Sequence, residues 1–277
     1  MANIQELARI AYELRISVIK MLLAAKSGHT AGPLGMAEVF TVLYFAGLIK
    51  QDPHDPLAED RDRIILSNGH ICPIRYAAMA RAGFFPQEEL LTFRKIDSRL
   101  QGHPSRVDLP MIETSSGPLG QGISQAVGMA LALKRDQKPQ HVYVLMSDGE
   151  CDEGQTWEAV MFAGNHALNH LTAIIDRNDI QISGKTSEVM SLEPLKDKFI
   201  SFNWDILEID GHNIEEIITA VKKGKTQKTR PLAIIAKTTP GKGVSFMEGD
   251  FHWHGKPPSP IEGERALTEL TKVLETL

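Results

Sequence analysis

His141-Val142-Tyr143-Val144-Leu145-Met146 is a short apolar run that empties into Ser147-Asp148-Gly149-Glu150-Cys151-Asp152-Glu153-Gly154. The next run, Leu171-Thr172-Ala173-Ile174-Ile175, ends in Asp176-Arg177-Asn178-Asp179-Ile180. Residues 156–167 between them carry apolar side chains at helical spacing, so strand, helix and strand follow one another. The same alternation extends outward on both sides. Residues 119–135 predict a helix, 205–209 a strand, 214–221 a helix, 231–236 a strand and 260–277 a closing amphipathic helix. Short, continuously apolar strands separated by helices mark a mostly parallel sheet with helices on both faces, an α/β fold. Open sheets of this kind bind ligands where loops leave the carboxyl ends of the strands.

Upstream, residues 4–26 repeat Leu7, Ile10, Leu14, Val18, Met21 and Leu22 on one helical face. The helix breaks at Ser27-Gly28-His29-Thr30-Ala31-Gly32-Pro33, and a second is expected over 36–46. Ile64-Ile65-Leu66 is too short to separate strand from buried helical turn; it precedes Ser67-Asn68-Gly69-His70, and 71–82 again reads as helix. No internal repeat or low-complexity linker divides the 277 residues, so one domain over 1–277 is expected. With 42% hydrophobic and 23% charged residues and no run of eighteen apolar ones, neither a membrane span nor a secretory signal is indicated. The net charge of −5 argues against a nucleic-acid surface. Lys222, Lys223, Lys225, Lys228 and Arg230 read as a solvated turn between helix and strand. Two distant cysteines, Cys72 and Cys151, fit a cytoplasmic protein better than a disulfide scaffold.

Asp148 should stand at one strand tip, with Gly149 letting the chain turn tightly. Asn178, thirty positions on, should stand at the next tip. A carboxylate and an amide oxygen facing one point suit Mg2+ or Ca2+ completed by phosphate and water oxygens. Neither a Gly-Lys-Ser/Thr phosphate loop nor a GxGxxG fingerprint is present. A plain strand-to-helix turn explains Asp148-Gly149 alone, but not its pairing with Asn178 and a set of loop histidines. Of ten histidines, His29, His70, His103, His252 and His254 lie among glycines and prolines, where imidazole can move protons or, when protonated, pair with phosphate. His141, His166 and His170 flank core elements and read as structural; nothing in the sequence decides His54 or His212. A zinc site from His29, His70 and His103 is disfavoured, since each has its own glycine-rich turn and no acidic or cysteine partner at the local spacing of metal ligands.

Asp148-Gly149 followed by Glu153-Gly154, with Asn178 beyond, resembles the thiamine diphosphate motif. Gly28-His29 with Leu34-Gly35, Ser67-Asn68-Gly69-His70, Gln101-Gly102-His103-Pro104 and Gly117-Pro118-Leu119-Gly120-Gln121-Gly122 are similar to successive signatures of transketolases. His252-Trp253-His254-Gly255-Lys256-Pro257-Pro258 resembles their late histidine segment, so the likeness runs in order from about 27 to 258. It implies a diphosphate-binding (PP-type) thiamine diphosphate domain. It further implies that Asp148, the Asn178 side chain and the Ile180 carbonyl hold Mg2+ (or Ca2+ or Mn2+), while His70 and Gly149 meet the diphosphate. Gly117, Pro118 and Leu119 would form the wall against the cofactor rings, and Glu153 would lie at a subunit boundary. His29, His103 and His254 would line the substrate channel over the thiazolium, His254 being preferred to His252 because it precedes Gly255. Ser147 and the Arg177-Asn178-Asp179 triplet depart from the common pattern.

The activity implied is transfer of a two-carbon ketol unit from a ketose phosphate to an aldose phosphate, as in the pentose phosphate pathway. The family's pyrimidine-binding domain has no counterpart here, so a separate C-terminal subunit is expected to carry it, in a heterotetramer of two chains of each kind. The isolated chain is then expected to be inactive, with residues 119–133 and 156–167 as contact helices. Two readings compete: a subunit of another thiamine diphosphate enzyme, decarboxylating or acting on a sulfonated substrate, and a non-catalytic cofactor-binding or assembly protein. His29, His103 and His254 speak against the last, because binding alone does not need them.

Overall fold

The strands are β1 (Arg63–Leu66), β2 (Val142–Ser147), β3 (Leu171–Arg177), a small ladder of β4 (Ile180–Gln181) and β5 (Gly184–Lys185), then β6 (Asp205–Asp210) and β7 (Leu232–Lys237). The structure, a computed structural model, describes residues 3–277. Five strands form one parallel sheet in the order β1-β2-β3-β7-β6, and β4 and β5 form a separate antiparallel pair just after the end of β3. The expected α/β architecture is therefore present, and Ile64-Ile65-Leu66 is strand.

Helices are α1 (Ile4–Ala25), α2 (Ala31–Gly35), α3 (Ala37–Phe45), α4 (Cys72–Arg81), α5 (Gln121–Arg135), α6 (Gly154–Asn165), α7 (Thr186–Val189), α8 (Leu195–Ser201), α9 (Ile214–Lys225) and α10 (Pro260–Leu274). Alternate residues of each strand point to opposite faces. Tyr143 and Leu145 join a core with α1, α3, α4, α9 and α10, whereas Val142, Val144 and Met146 join one with α5, α6 and α8. Burial on both faces is why β2 is apolar throughout; each fully buried aliphatic side chain contributes about 1.5–3 kcal/mol.

The glycine-rich stretch after Ser27 is not simply a break. It forms α2, with Pro33 in a short first turn, and Gly32 lies so close to Ile71 that a Cβ there would meet its side chain at 2.8 Å. The basic run is also not all turn. Lys222, Lys223 and Lys225 occupy the last turn of α9, where cations suit the helix dipole, and Lys225 pairs with Asp62 at 2.9 Å. His212 acquires a structural role. Its Nε2 accepts from Thr239 N at 2.8 Å, so Nδ1 carries the proton and donates to Glu38 at 3.0 Å. Glu38 is buried and also receives the fully buried Arg15 at 2.6 Å, tying α1, α3 and the β6–α9 loop together.

Two glycines distinguish internal from external packing. A Cβ on Gly164 of α6 would lie 1.7 Å from the Phe202 carbonyl oxygen, whereas one on Gly128 of α5 meets nothing within 4 Å. Gly164→Ala should therefore destabilise the chain by about 2–4 kcal/mol in urea unfolding. Gly128→Ala should stabilise the chain, when alone, by roughly 0.5–1 kcal/mol. Equal effects at the two positions would contradict the packing described.

Candidate functional site

The register of β2 and β3 sets Ser147 beside Asp176, and Asp148 N donates to the Asp176 carbonyl at 3.1 Å. Both chains then leave the sheet together. Asp148 is fully buried; its Oδ2 accepts from Asp179 N at 2.7 Å and Arg177 Nη1 at 2.9 Å, and its Oδ1 from Gly149 N at 2.7 Å. Burial raises its pKa against these donors. Asp176, also fully buried, accepts the Thr238 hydroxyl on one oxygen and Asn178 Nδ2 at 2.8 Å on the other. Only the amide nitrogen can donate to that carboxylate, so the orientation of Asn178 is determined and its Oδ1 is turned away, accepting from Ile180 N at 3.0 Å.

Asn178 and Ile180 line a cavity of about 380 Å3, together with Gly149, Gly117, Leu119 and the β4–β5 turn residues Gln181, Ile182 and Ser183. His29, His70, His103 and His254 complete the wall. The histidines come from four separate segments: the end of α1, the turn after β1, the 101–104 loop and the turn of Phe251–Trp253. Their ring centroids lie 5.2 Å (His29–His70), 5.6 Å (His29–His254), 6.1 Å (His29–His103) and 5.0 Å (His70–His254) apart. Gly28 makes the approach of His29 possible. Its φ is +129°, and a Cβ would meet Leu22 at 2.5 Å.

Burial depresses the imidazole pKa values. That of His29 falls to about 4, by burial first and then by His254, Arg94 and His103. His70 is driven well below its ordinary value, again by burial first, and His103 and His254 are lowered too. The cluster is therefore neutral at pH 7. It can donate and accept hydrogen bonds and pass protons, but it does not neutralise phosphate by charge, as a protonated His70 would. Among the described residues, buried His29 Nδ1 has no partner, a polar atom left for a ligand.

Several expected positions stand elsewhere. Asp148 lies beneath the cavity, not on its wall, with Arg177 on its carboxylate. Pro118 and Glu153 are exposed and off the wall, Glu153 at the N-cap of α6. His252 is exposed and bonded to Asp250 at 2.6 Å, leaving His254 as the histidine of that segment on the cavity. His141 is buried against Thr172 at 2.8 Å, and His166 packs on Phe162 with centroids 4.1 Å apart. Among the described residues, no three His, Cys, Asp or Glu side chains are arranged to hold a metal. A donor set here would join a single carboxylate to amide and peptide oxygens, which fits a hard cation sharing its shell with phosphate and water.

Glu150 carries no signal in the sequence, yet it is buried, with its pKa pushed up to about 7 by burial. It accepts from the Ser67 hydroxyl, Gly120 N at 2.7 Å and Ser147 N at 3.2 Å, while Gly122 N donates to Ser67 Oγ at 3.0 Å. It thus fastens the β1 and β2 tips to the start of α5. Sequence reasoning also misses Gln181, Ile182 and Ser183; the available signal is the Ile180-Gln181-Ile182 alternation ahead of Gly184.

Residues 7–268 match the family described as transketolase, thiamine diphosphate binding domain. The chain is 45% identical over 245 residues to the 6-deoxy-6-sulfo-D-fructose transketolase subunit SqwG of Clostridium sp. (strain MSTE9), covering 88% of this chain and 89% of that one. It is 40% identical over 263 residues to one subunit of the apulose-4-phosphate transketolase of Phocaeicola vulgatus, covering 95% and 93%. A transketolase structure from Campylobacter jejuni superposes with a TM-score of 0.91 at 35% identity, over 99% of this chain and 43% of that longer one.

Protonation of the cluster should be visible in stability. A histidine whose pKa is lowered on folding stabilises the fold above its unfolded pKa of about 6.5. For His29 that contribution is lost as pH falls towards about 4. His29→Asn should lose less stability than the parent between pH 7 and pH 4, measured by denaturant unfolding at each pH. Parallel pH profiles would show that His29 titrates normally.

Proposed function

This chain belongs to the transketolase family of thiamine diphosphate-binding domains, and on that premise we propose that it is the cofactor- and metal-binding subunit of a two-chain transketolase. The reaction proposed is transfer of a two-carbon ketol unit from a ketose phosphate to an aldose phosphate. The observation that carries it is the meeting of four neutral histidines with Asn178 and Ile180 on one cavity at the strand ends, directly above Asp148.

In this reading Asp148, the Asn178 side chain and the Ile180 carbonyl hold Mg2+, with Ca2+ or Mn2+ as substitutes. His70 and the Gly149 backbone take the diphosphate, and Gly117, Leu119 and Ile182 supply the wall for the rings. Bound thiamine diphosphate supplies the electron sink for cleavage beside a ketose carbonyl. His29, His103 and His254 hydrogen-bond the substrate's carbonyl and hydroxyl oxygens. Being neutral, each can accept a proton at one ring nitrogen while donating from the other. Their separate loops place such donors around the point where oxygen charge develops.

The partner proposed is a separate C-terminal subunit bearing the pyrimidine-binding domain, assembled as two chains of each kind. Relatives of nearly equal length are themselves named as subunits. Helices α5 and α6 offer the matching surface: Gly128 and Gly154 leave open space, and Met161 and Phe162 are exposed. Among the described residues no helix is long and apolar enough to cross a membrane, and Cys72 and Cys151 are free and buried, in keeping with a cytoplasmic assembly. The likeness to a sulfofructose enzyme subunit favours a second reading of the substrate, a sugar sulfonate in place of a sugar phosphate.

Turnover by the purified chain with thiamine diphosphate and Mg2+ should be negligible and should appear on adding the companion chain; robust turnover alone would sink the two-chain reading. A panel of sugar phosphates and sulfonates on the reconstituted enzyme separates the two substrate classes. In that complex Asp148→Ala should weaken calorimetric cofactor binding beyond the roughly 10–100-fold cost of losing a mere supporting residue. Unchanged affinity with unchanged circular dichroism would remove Asp148 from the metal site.

A further inference from the structure

We propose that Arg177 is a resident counter-cation that makes divalent-metal binding at Asp148 depend on the simultaneous presence of a diphosphate. The inference rests on the metal assignment above and concerns how that site is controlled.

Asp148 is fully buried, and its side-chain cation partner in the chain is Arg177, whose Nη1 meets Oδ2 at 2.9 Å. The guanidinium is itself only 16% exposed and is held at both terminal nitrogens. Nη1 also reaches Thr186 Oγ1 at 3.0 Å and Asp179 Oδ1 at 3.3 Å, and Nη2 reaches Glu193 Oε1 at 3.0 Å. Arg177 is thus built into the junction of β3, α7 and the segment before α8. The Asp179 and Glu193 side chains are 48% and 60% exposed, so water screens them. At the buried oxygen the guanidinium is the charged group in direct contact, at 2.9 Å.

The electrostatic consequence has a definite sign. A bare dication approaching Asp148 meets a carboxylate already neutralised and a fixed positive charge a few ångströms beyond it. In a partly buried site that repulsion is weakly screened. A dication already bound to a fully ionised diphosphate ester presents a negative charge at that end of the ligand, and the same guanidinium attracts it. Arg177 therefore disfavours metal alone and favours metal with diphosphate, a positive coupling between the two ligands. Asn178 and Ile180, uncharged, supply oxygens under either condition and do not produce the coupling.

The test is a Mn2+ titration of the full chain, alone and with its companion, at pH 8, where protons compete least. Free Mn2+ is read by electron paramagnetic resonance, with and without thiamine diphosphate. Arg177→Met should bind Mn2+ alone about tenfold more tightly than the parent, and tighter still if the guanidinium is less screened than at an exposed site. Its gain in Mn2+ affinity on adding the cofactor should shrink. Arg177→Lys keeps the charge and should keep most of the coupling. Should the methionine variant fold poorly, Arg177→Gln and the rise in Tm on adding Mn2+ without cofactor give the same sign, a larger rise than in the parent. Unchanged or weaker cofactor-free binding in both uncharged variants would overturn the proposal and leave Arg177 as a residue that merely orders Asp148. If Asp148→Ala retains parental Mn2+ binding with cofactor present, the metal assignment falls instead, and the two failures are distinguishable.

Discussion

The parallel pairing of β2 with β3 is the constraint on which the site depends. One register places Ser147 against Asp176, and Asp148, Gly149, Arg177 and Asn178 are the next residue or two along from that rung. A slip by one residue would turn each side chain to the opposite face of the sheet, sending Asp148 and Asp176 into the apolar layers. The register is defended by continuous burial. Alternate β2 residues are claimed by two different cores, neither of which accepts the other's set.

At these strand ends three carboxylates are buried within a few residues: Asp148, Glu150 and Asp176. Desolvating an ionised carboxylate costs several kcal/mol unless hydrogen bonds and counter-charges offset it. Each is handled differently. Glu150 is satisfied by backbone and hydroxyl donors and acts as a clamp between strand tips and α5. Asp176 is spent on aligning an amide and a threonine hydroxyl, and burial pushes its pKa up to about 7. Asp148 has a guanidinium. A fold needing only a stable turn would not gather three such groups, so their concentration marks the region as more than a loop junction.

The sheet was legible because fully buried strands write themselves as unbroken apolar runs, and 141–146 and 171–175 could hardly be anything else. Asp148, Asn178 and the loop histidines were legible from their position after such runs and from family likeness. What escaped depends on three-dimensional neighbours. Nothing local says that Glu150 turns inward while Glu153, three residues on, faces solvent. Nor does spacing reveal that Arg177 folds back onto Asp148, or that Asp176 dictates which end of the Asn178 amide points outward. The β4–β5 ladder escaped because its alternation, Ile180-Gln181-Ile182, is too short to stand out from a loop. The protonation state of the histidines is likewise a property of their assembly: each alone is an ordinary loop histidine, and it is mutual burial that keeps all four neutral.

That neutrality bears on what the cavity can hold. Its histidine wall offers hydrogen bonds without charge, and the acid beneath it is already matched by Arg177. An anionic ligand therefore finds no large positive field from the histidines, and a cation finds no bare negative one from Asp148. A pair of opposite charges entering together would suit both layers, the cation against the oxygens of the strand tips and the anion against the backbone and imidazole donors. The glycines divide along the same logic. Gly122 brings α5 against Ser67 inside the chain, whereas a Cβ on Gly128, exposed on the same helix, meets nothing within 4 Å among the described residues. One face of α5 thus helps close the site from within, and the other is open at Gly128 among the described residues.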